Sequence, residues 1–391
     1  MEKETTVKKY DFLIVGAGIC GASAARILTD KGYKCLIVEK AGEVGGLCHD
    51  REINKIIVST YGPHIVHTNN KHVWDFLNRF SKFNEYKHCE VIMKNDKLYH
   101  LPIDMLTMNQ VFNTVSAKES FNIIDKEIKN YNVLTTSNLE DSIILRCGTT
   151  IYGALLKGYY EKKFGTKCSE LAMSVPQSFP VSYNYMPTMY TDKYQGYPVE
   201  GYKRLVENMI GDDIDIMLNK DFIKMFDKLY EVAEAIVYTG AVDELCHYAY
   251  GPLKWCTAEF TSSDESIRGN YIYGCPVINV SNMRGYDDTY RITEHKWFTP
   301  ERIGDRTFDS HNIITYERYK KWEPGDLTLY AIIDSDQVEL FNKYYKFVKE
   351  RWPNIILCGK NGSFDNYDIC ETIQGVMESF YTIEDKDKLD A

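Results

Sequence analysis

"DFLIVGAGICGASAARILTDKGYKCLIVEK", residues 11–40, decides the fold of this chain. The apolar run "DFLIV" predicts a buried strand, and "ASAARILTDKG" predicts a helix that ends at Gly32. "KCLIVEK" predicts a second strand with Glu39 at its end. A strand, a helix and a strand in this order indicate a Rossmann-like α/β unit with a parallel sheet.

The glycines between the first strand and the helix indicate a dinucleotide site. Gly16, Gly18 and Gly21 fit the pattern G-x-G-x-x-G, and Glu39 follows about 20 residues later. We expect Gly16 to make the tight turn, Gly18 to let a pyrophosphate approach the backbone, and Gly21 to permit close helix packing. The helix N-terminus would face the phosphates, and Glu39 would accept hydrogen bonds from ribose hydroxyls. A βαβ unit without a ligand is the alternative interpretation.

A second pair of glycines favours flavin over nicotinamide. Gly45 and Gly46 lie in "AGEVGGLCHD", directly after the acidic residue that would bind ribose. In FAD enzymes the chain often passes under the cofactor at this point, and glycines allow that approach. The sequence therefore predicts FAD, with NAD as the alternative.

Length, charge and cysteine content limit the classes of protein that the chain could be. The chain has 391 residues, which predicts more than one domain, and a net charge of −10, which argues against nucleic acid as the main partner. Its eleven cysteines form no C-x-x-C pair, so we expect reduced thiols and a cytoplasmic protein. The charged N-terminal segment is unlike a signal peptide. The sequence contains no run of about 18 apolar residues, so we expect no membrane span.

Two later segments predict further strands of the dinucleotide-binding sheet. "EAIVYTG" (234–240) and "NIILCG" (354–359) each combine a buried strand with a turn that ends in glycine. A long helix is expected to begin near Asp368 and to aim its N-terminus at the flavin ring. The nucleotide-binding domain is therefore predicted to be assembled from separated pieces of the chain.

Several motifs, taken together and in order, resemble those of the UDP-galactopyranose mutase family, whose members interconvert pyranose and furanose forms of sugar nucleotides. The most particular are "YGPHIVHT" (61–68), "YQGYPVEGYKRLVENM" (194–209) and "YRITEHKWF" (290–298), and the likeness runs from about residue 10 to 380. The resemblance implies an α/β fold with α+β insertions. Its three parts are an FAD-binding domain (1–80, 200–245 and 340–391), a small helical domain (104–170) and an antiparallel sheet domain (81–103, 171–199 and 246–339).

The resemblance also implies an isomerase with an unusual use of its cofactor. In the family, N5 of reduced FAD attacks the anomeric carbon of the sugar and displaces the nucleoside diphosphate. The implied partners are a nucleotide sugar, a reductant such as NAD(P)H and a second copy in a homodimer, in the service of polysaccharide biosynthesis. An FAD-dependent oxidoreductase and a non-catalytic flavoprotein on the same scaffold are the alternatives.

Site residues follow from the matching motif positions. The resemblance assigns catalytic roles to Arg291, His67 and His64, and cofactor contacts to Tyr61, Lys360 and Asp368 beside the five glycines and Glu39. A zinc site at the two histidines is disfavoured, because no further Cys or His has ligand spacing, and no metal is predicted. The positions assigned to substrate are Asn84, Leu155, Tyr159, Phe164, Ser182, Asn279, Tyr330 and Asn366.

Departures from the family pattern concentrate at the nucleotide positions. Ser178 and Ser182 in "SFPVS" replace two loop arginines, and losing a charged contact to a buried phosphate typically costs about 2–5 kcal/mol when nothing replaces it. Phe164 replaces a tryptophan, Leu155 an aromatic residue, and Asn366 a tyrosine. Cofactor positions are mostly kept, whereas diphosphate and uridine positions are mostly altered. The sequence therefore predicts retained FAD binding and a changed substrate, a UDP-galactose-like nucleotide sugar in which the sugar or the nucleotide is different.

Overall fold

The structure is a computed structural model, and it describes residues 9–133, 136, 138–174, 179–265 and 271–386. The strands in these ranges are β1 (Tyr10–Val15), β2 (Cys35–Val38), β3 (Asp50–Ile53), β4 (Ile56–Ser59), β5 (Val66–Thr68), β6 (Glu90–Lys94), β7 (Lys97–Leu101), β8 (Tyr194–Gly196), β9 (Asp215–Met217), β10 (Ala233–Tyr238), β11 (Trp255–Asp264), β12 (Val277–Asn282), β13 (Thr289–Glu294), β14 (Ile313–Lys320), β15 (Tyr330–Ala331) and β16 (Ile355–Leu357).

Helices connect these strands and form a separate helical part. The α-helices are α1 (Ile19–Asp30), α2 (Lys71–Asn78), α3 (Met105–Phe112), α4 (Ala117–Tyr131), α5 (Leu139–Ile151), α6 (Lys157–Phe164), α7 (Tyr202–Ile210), α8 (Phe226–Leu229), α9 (Val242–Leu245), α10 (Arg306–Ser310), α11 (Ser335–Arg351), α12 (Gly359–Gly362) and α13 (Ile369–Phe380). Within the described ranges, no helix combines the length and the apolar character needed to cross a membrane.

The predicted Rossmann-like unit is confirmed as a five-stranded parallel sheet. Its strand order is β16-β10-β1-β2-β9, and every neighbouring pair is parallel. Successive residues of β1 face opposite cores: Ile14 packs with α1, α7 and α13, and Leu13 packs with α9 and α11. A sheet covered on both faces explains why its strands are almost continuously apolar. All five strands come from the three segments that the sequence assigns to nucleotide binding.

Helix α1 lies against β1 with almost no space between the two backbones. A Cβ atom at Gly21 would overlap the carbonyl oxygen of Gly16 and lie 3.1 Å from Ile14 Cγ2. Ala22 and Ala24 of the same helix have no exposed area. The small side chains therefore allow the contact that Gly21 is predicted to make, and the helix ends at Asp30, two residues before the predicted end.

A seven-stranded sheet forms the second layer, and it is mixed rather than wholly antiparallel. Its order is β15-β11-β14-β13-β12-β6-β7, with antiparallel pairs throughout except β6 and β12, which are parallel. The hairpin of β6 and β7 comes from a distant, earlier part of the chain. No tight turn therefore fixes its direction relative to β12.

The helical part brings one helix onto the seven-stranded sheet. A π-helical turn, Tyr152–Leu156, joins α5 to α6, and α6 then crosses β12. A Cβ atom at Gly158 would lie 2.8 Å from Ser281 Oγ and 2.9 Å from its carbonyl oxygen. The missing side chain at Gly158 therefore lets α6 approach the sheet, and the last turn of α6 reaches the space between the two sheets.

The packing of α1 predicts opposite effects for two glycine substitutions. Gly21→Ala should destabilise the protein by about 1–3 kcal/mol, because the new methyl group forces α1 away from β1. Gly375→Ala is the matched control, since Gly375 lies exposed in α13 with nothing within 4 Å of an added Cβ atom. That control should stabilise the protein by about 0.4–1 kcal/mol. Urea-induced unfolding measures both, and equal effects would contradict the packing argument.

Candidate active site

A cavity of about 500 Å³ lies between the two sheets. Val15, Val38 and Tyr238, the last residues of β1, β2 and β10, form one side, as expected for a ligand site at the carboxyl ends of parallel strands. Arg291 of β13 and Glu317 of β14 form part of the opposite side. The cavity therefore joins the predicted nucleotide-binding unit to the second sheet.

Two glycine stretches form a cradle at one end of the cavity. Gly16 and Gly46 have φ angles of +105° and +56°, which favour glycine. A Cβ atom at Gly46 would lie 2.9 Å from Gly18 Cα, so the two stretches touch through their backbones. Gly45 N donates to the carbonyl oxygen of Ala17 at 2.9 Å. No side chain caps the N-terminus of α1, which leaves a site suited to a pyrophosphate.

Glu39 is held as a hydrogen-bond acceptor beside this cradle. Its carboxylate accepts from Ala17 N and from Ala41 N, each at 2.7 Å, with one oxygen used for each bond. Each carboxylate oxygen retains a further lone pair. Glu39 and the cradle both line the cavity, so the residues present suit a dinucleotide cofactor with its ribose at Glu39.

His64 is a neutral acceptor on the cavity wall. Its Nε2 lies 3.0 Å from the carbonyl oxygen of Leu47, so Nε2 carries the proton and Nδ1 is left as an acceptor. Burial and, to a lesser extent, the nearby Lys360 ammonium lower the pKa of His64 to about 4. The imidazole is therefore uncharged near neutral pH.

His67 is fixed by a ring and two carboxylates. It stacks on Tyr190 with centroids 3.6 Å apart, and its Nδ1 lies 2.9 Å from Asp192 Oδ2. Its Nε2 lies 3.5 Å from Asp368 Oδ2. Asp368 itself is the N-cap of α13 and forms a capping box with Glu371, so the predicted start of that helix is confirmed. In the described part of the chain, no cluster of three or more His, Cys, Asp or Glu side chains could hold a metal ion.

Arg291 is held by a buried carboxylate that the sequence analysis did not single out. Its Nε and Nη2 donate to the two oxygens of Glu317, each at 2.7 Å, and Glu317 has no exposed area. Tyr290 donates its hydroxyl proton to the same carboxylate at 3.0 Å. Two of the five N–H donors of the guanidinium are used, and three remain. The forked geometry orients Arg291 on the cavity wall.

Two ammonium groups of the cavity lining approach one tyrosine ring. The Nζ atoms of Lys163 and Lys360 lie 4.7 Å and 4.5 Å from the ring centroid of Tyr330. Lys163 first, and then Arg291 and Lys360, lower the pKa of the Tyr330 hydroxyl against the opposing effect of burial. Asn366 exchanges two hydrogen bonds with the backbone of Ala331, both at 2.9 Å, and thereby holds β15 in place.

Other predicted substrate residues have structural roles away from the cavity. Asn84 Oδ1 accepts from Tyr86 N and Tyr197 N at 3.1 Å and 3.0 Å, and its Nδ2 donates to the Phe298 carbonyl oxygen at 2.8 Å. Its amide is thus committed to joining three backbone segments. Leu155 and Phe164 are buried in the core of the helical part, where they pack against other side chains. These three residues do not line the cavity, and their assignment to the substrate stays a prediction.

The remaining predicted positions lie behind the cavity wall or outside it. Ser182 bonds through its hydroxyl to Asn184 at 2.7 Å, and Ser178 lies outside the described residues. Asn279 donates to Glu90 Oε2 at 2.6 Å and so orients a carboxylate that does line the cavity. Tyr159 is buried beside Tyr290, with ring centroids 6.5 Å apart.

The cavity lining also includes residues that no motif predicted, among them Lys163, Glu317, Glu90, His88 and Tyr190. Alternation along β14 could have found Glu317, because it lies on the same face as Ile313 and Thr315. Lys163 carried no such signal, since a lysine near a helix end normally points to solvent. His88 and Glu90 form a pair, with Nε2 and Oε1 2.8 Å apart, on a segment that had no motif.

Known proteins resemble the chain over most of its length. A family model described as UDP-galactopyranose mutase matches residues 154–366, and one for an NAD(P)-binding Rossmann-like domain matches residues 14–80. A Klebsiella pneumoniae protein named "Probable UDP-galactopyranose mutase" is 29% identical, covering 94% of this chain and 93% of its own. An Escherichia coli dTDP-fucopyranose mutase is 28% identical, covering 94% and 96%. The fold is similar to a crystal structure of reduced UDP-galactopyranose mutase, with a TM-score of 0.72, 12% identity and 96% of each chain covered.

The buried ion pair predicts a large effect of one truncation on stability. Arg291→Ala should reduce the free energy of unfolding by about 3–5 kcal/mol, because it leaves the Glu317 carboxylate buried without its counter-charge. Arg204→Ala is the control: Arg204 pairs with Glu207 on an exposed helix face, and its loss should change stability by at most about 1 kcal/mol. Urea-induced unfolding gives both values. A loss at Arg291 as small as that at Arg204 would show that the pair is not buried.

The pKa of His64 predicts a pH dependence of stability. Between about pH 6.5 and pH 4 the unfolded chain binds a proton at this residue and the folded protein does not, so stability falls as pH falls. His64→Gln should remove about 1–2 kcal/mol of the decline in unfolding free energy between about pH 7 and pH 5. His72→Gln, at an exposed position of α2, is the control and should leave the decline unchanged. Identical pH profiles for the wild type and His64→Gln would overturn the assignment.

Proposed function

The chain belongs to the UDP-galactopyranose mutase family, and from that premise we propose that it interconverts the pyranose and furanose forms of a nucleotide-linked sugar with reduced FAD as its cofactor. The family consists of mutases, which are isomerases. The observation that carries the proposal is a single cavity with a dinucleotide cradle at one end and a cationic wall at the other.

The glycine cradle supports FAD as the cofactor. The backbone contact of Gly46 with Gly18 supports this choice, because a second glycine stretch would then lie under a bound dinucleotide, as expected of flavin proteins, and Glu39 would offer acceptors to the ribose. When bound and reduced, FAD supplies a nucleophile, its N5, to the anomeric carbon of the sugar. Tyr61 and His64 line the cavity beside the cradle and would contact this cofactor.

The opposite wall suits the diphosphate of a nucleotide sugar. Arg291 presents its remaining N–H donors in the planar arrangement that matches phosphate oxygens. Glu317 keeps the guanidinium in one orientation, so little conformational freedom would be lost when a phosphate binds. A diphosphate that is held while its bond to the sugar breaks is also stabilised as it gains negative charge.

The histidines and their neighbours supply hydrogen bonds to the sugar pocket. His64 presents an acceptor, and His67 lies between the carboxylates of Asp192 and Asp368. The stacked ring of Tyr190 restricts His67 to one orientation. A pocket with fixed donors and acceptors can orient the hydroxyl groups of a flexible open-chain sugar, which is the task that a change of ring form requires.

The substrate is proposed to be galactose-like, with the sugar and the nucleobase left to experiment. The relatives are named for UDP-galactopyranose and for dTDP-fucopyranose, which differ in both parts. The proposal includes a cytoplasmic homodimer, reduced by a donor such as NAD(P)H, that supplies polysaccharide biosynthesis. These features rest on the family resemblance.

A turnover assay tests the proposed function. The FAD-loaded protein, reduced with dithionite, is incubated with UDP-galactopyranose, dTDP-fucopyranose and other nucleotide sugars, and ring form is followed by NMR. A furanose product is expected from one of them, with reduced enzyme only; oxidised enzyme is the control. No furanose product from any sugar would contradict the proposal, and bleaching of oxidised flavin by a substrate would identify an oxidoreductase instead.

A further inference from the structure

Lys163 is a buried lysine that faces the cavity. It lies in the last turn of α6, and only 6% of its surface is exposed. Its ammonium lies near three aromatic rings, those of Tyr159, Phe164 and Tyr330, at 5.8, 5.4 and 4.7 Å from their centroids. Among the described residues it has no hydrogen-bond or ion-pair partner. A lysine is rarely buried in this way without a counter-charge.

The acidic residues along the cavity are already engaged elsewhere. Glu317 forms the forked pair with Arg291, and Glu90 bonds to His88 and Asn279. Asp326 is paired with Lys320 at 2.6 Å, and Asp368 caps α13 beside His67. None of these carboxylates forms a hydrogen bond or an ion pair with Lys163, and Glu317 attracts its ammonium only from a longer distance. Contacts with aromatic rings offset only part of the desolvation of an ammonium group.

Lys360 also approaches Tyr330, but it belongs to the cofactor end of the cavity. It lies in α12, directly after Gly359, whose Cβ position would be 2.5 Å from Cys20 Sγ in the first turn of α1. Lys360 is thus beside the helix N-terminus that faces the cofactor cradle. Lys163 lies in α6, the helix that packs against β13, the strand that carries Arg291.

From this arrangement we infer that Lys163 is a substrate-binding residue, which supplies the second positive charge for the diphosphate of the nucleotide sugar, together with Arg291. The inference rests on the proposed function and deepens it. Arg291 is neutralised by Glu317, so Lys163 carries the charge that balances the ligand. Because the ammonium sits on a packed helix, the charge is positioned before the ligand arrives, which reduces the entropy lost on binding.

Lys163 would provide the positive charge that the loop containing Ser182 does not provide at that position. The side chain of Ser182 is a neutral hydroxyl, bonded to Asn184. A neutral hydroxyl provides one hydrogen bond to a phosphate, whereas an ammonium provides three donors and a full charge. The second positive charge for the diphosphate is therefore on α6.

Binding measurements on the FAD-loaded protein test the inference. The probes are UDP, dTDP and uridine, which has no phosphate, titrated into the wild type and three variants by calorimetry. Lys163→Gln should weaken binding of the preferred nucleoside diphosphate about 10- to 100-fold, as expected for loss of a charged hydrogen bond. Lys163→Arg should retain most of the affinity. Lys162→Gln is the matched control, because Lys162 bonds to the Tyr286 carbonyl oxygen at 3.1 Å and does not line the cavity; it should bind like the wild type.

A charge effect is distinguishable from a structural one. Uridine binding and FAD content should be the same in the wild type and Lys163→Gln, since neither depends on the diphosphate charge. The inference would be overturned if the wild type and Lys163→Gln bound each nucleoside diphosphate with the same affinity. It would also be overturned if the variant lost as much affinity for uridine as for the nucleoside diphosphates. Failure of the wild type to bind either nucleoside diphosphate would overturn it as well.

A second measurement uses the unaltered protein, so that it does not depend on the folding of a variant. Reductive methylation followed by mass spectrometry should show Lys163 protected by the bound nucleoside diphosphate and not by uridine; equal labelling would overturn the inference. The outcomes also separate this inference from the proposed function. If Lys163→Gln weakened diphosphate binding but no sugar gave a furanose product, the role of Lys163 would be supported and the mutase activity contradicted. If a furanose product formed but the variant bound nucleoside diphosphates like the wild type, the mutase activity would be supported and the role of Lys163 contradicted.

Discussion

The close contact between α1 and β1 is the constraint on which the rest of the structure depends. It exists because Gly21 has no Cβ atom to meet the carbonyl oxygen of Gly16. The contact aims the uncapped N-terminus of α1 at the cavity. Gly18, at the start of that helix, also has no side chain, so Gly46 can contact its backbone. A larger residue at Gly21 would separate the helix from the parallel sheet and open the cofactor cradle together with the core.

Charge is balanced differently on the two parts of the opposite wall. Arg291 and Glu317 satisfy each other through two hydrogen bonds, so the pair is stable while the cavity holds no ligand. Lys163 has three aromatic rings near its ammonium and, among the described residues, no hydrogen-bond or ion-pair partner. The first arrangement fixes a direction for hydrogen bonds, and the second leaves a charge for an anion to neutralise. Together they form a rigid wall whose charge suits the diphosphate that we propose as part of the substrate.

Three side chains of the site lie on secondary-structure elements, whereas His64 and Tyr190 lie in connecting segments. Lys163 is on α6, Arg291 on β13, and His67 on β5, which pairs with β8. Asp368 serves two purposes, because the carboxylate that caps α13 also faces His67. Positions fixed by backbone hydrogen bonds lose little freedom on binding, which favours orientation of a flexible sugar.

The sequence by itself determined the parallel sheet, its glycine cradle and the start of α13, since these depend on residues close together in the chain. Glycine spacing at Gly16, Gly18 and Gly21 sets local backbone geometry, and apolar runs set strands. Tertiary structure alone decided that Asn84 joins backbone segments, that Glu317 holds Arg291, and that Lys163 is buried beside Tyr330. Burial and counter-charge arise where distant segments meet, and the spacing of residues along one segment does not encode that meeting.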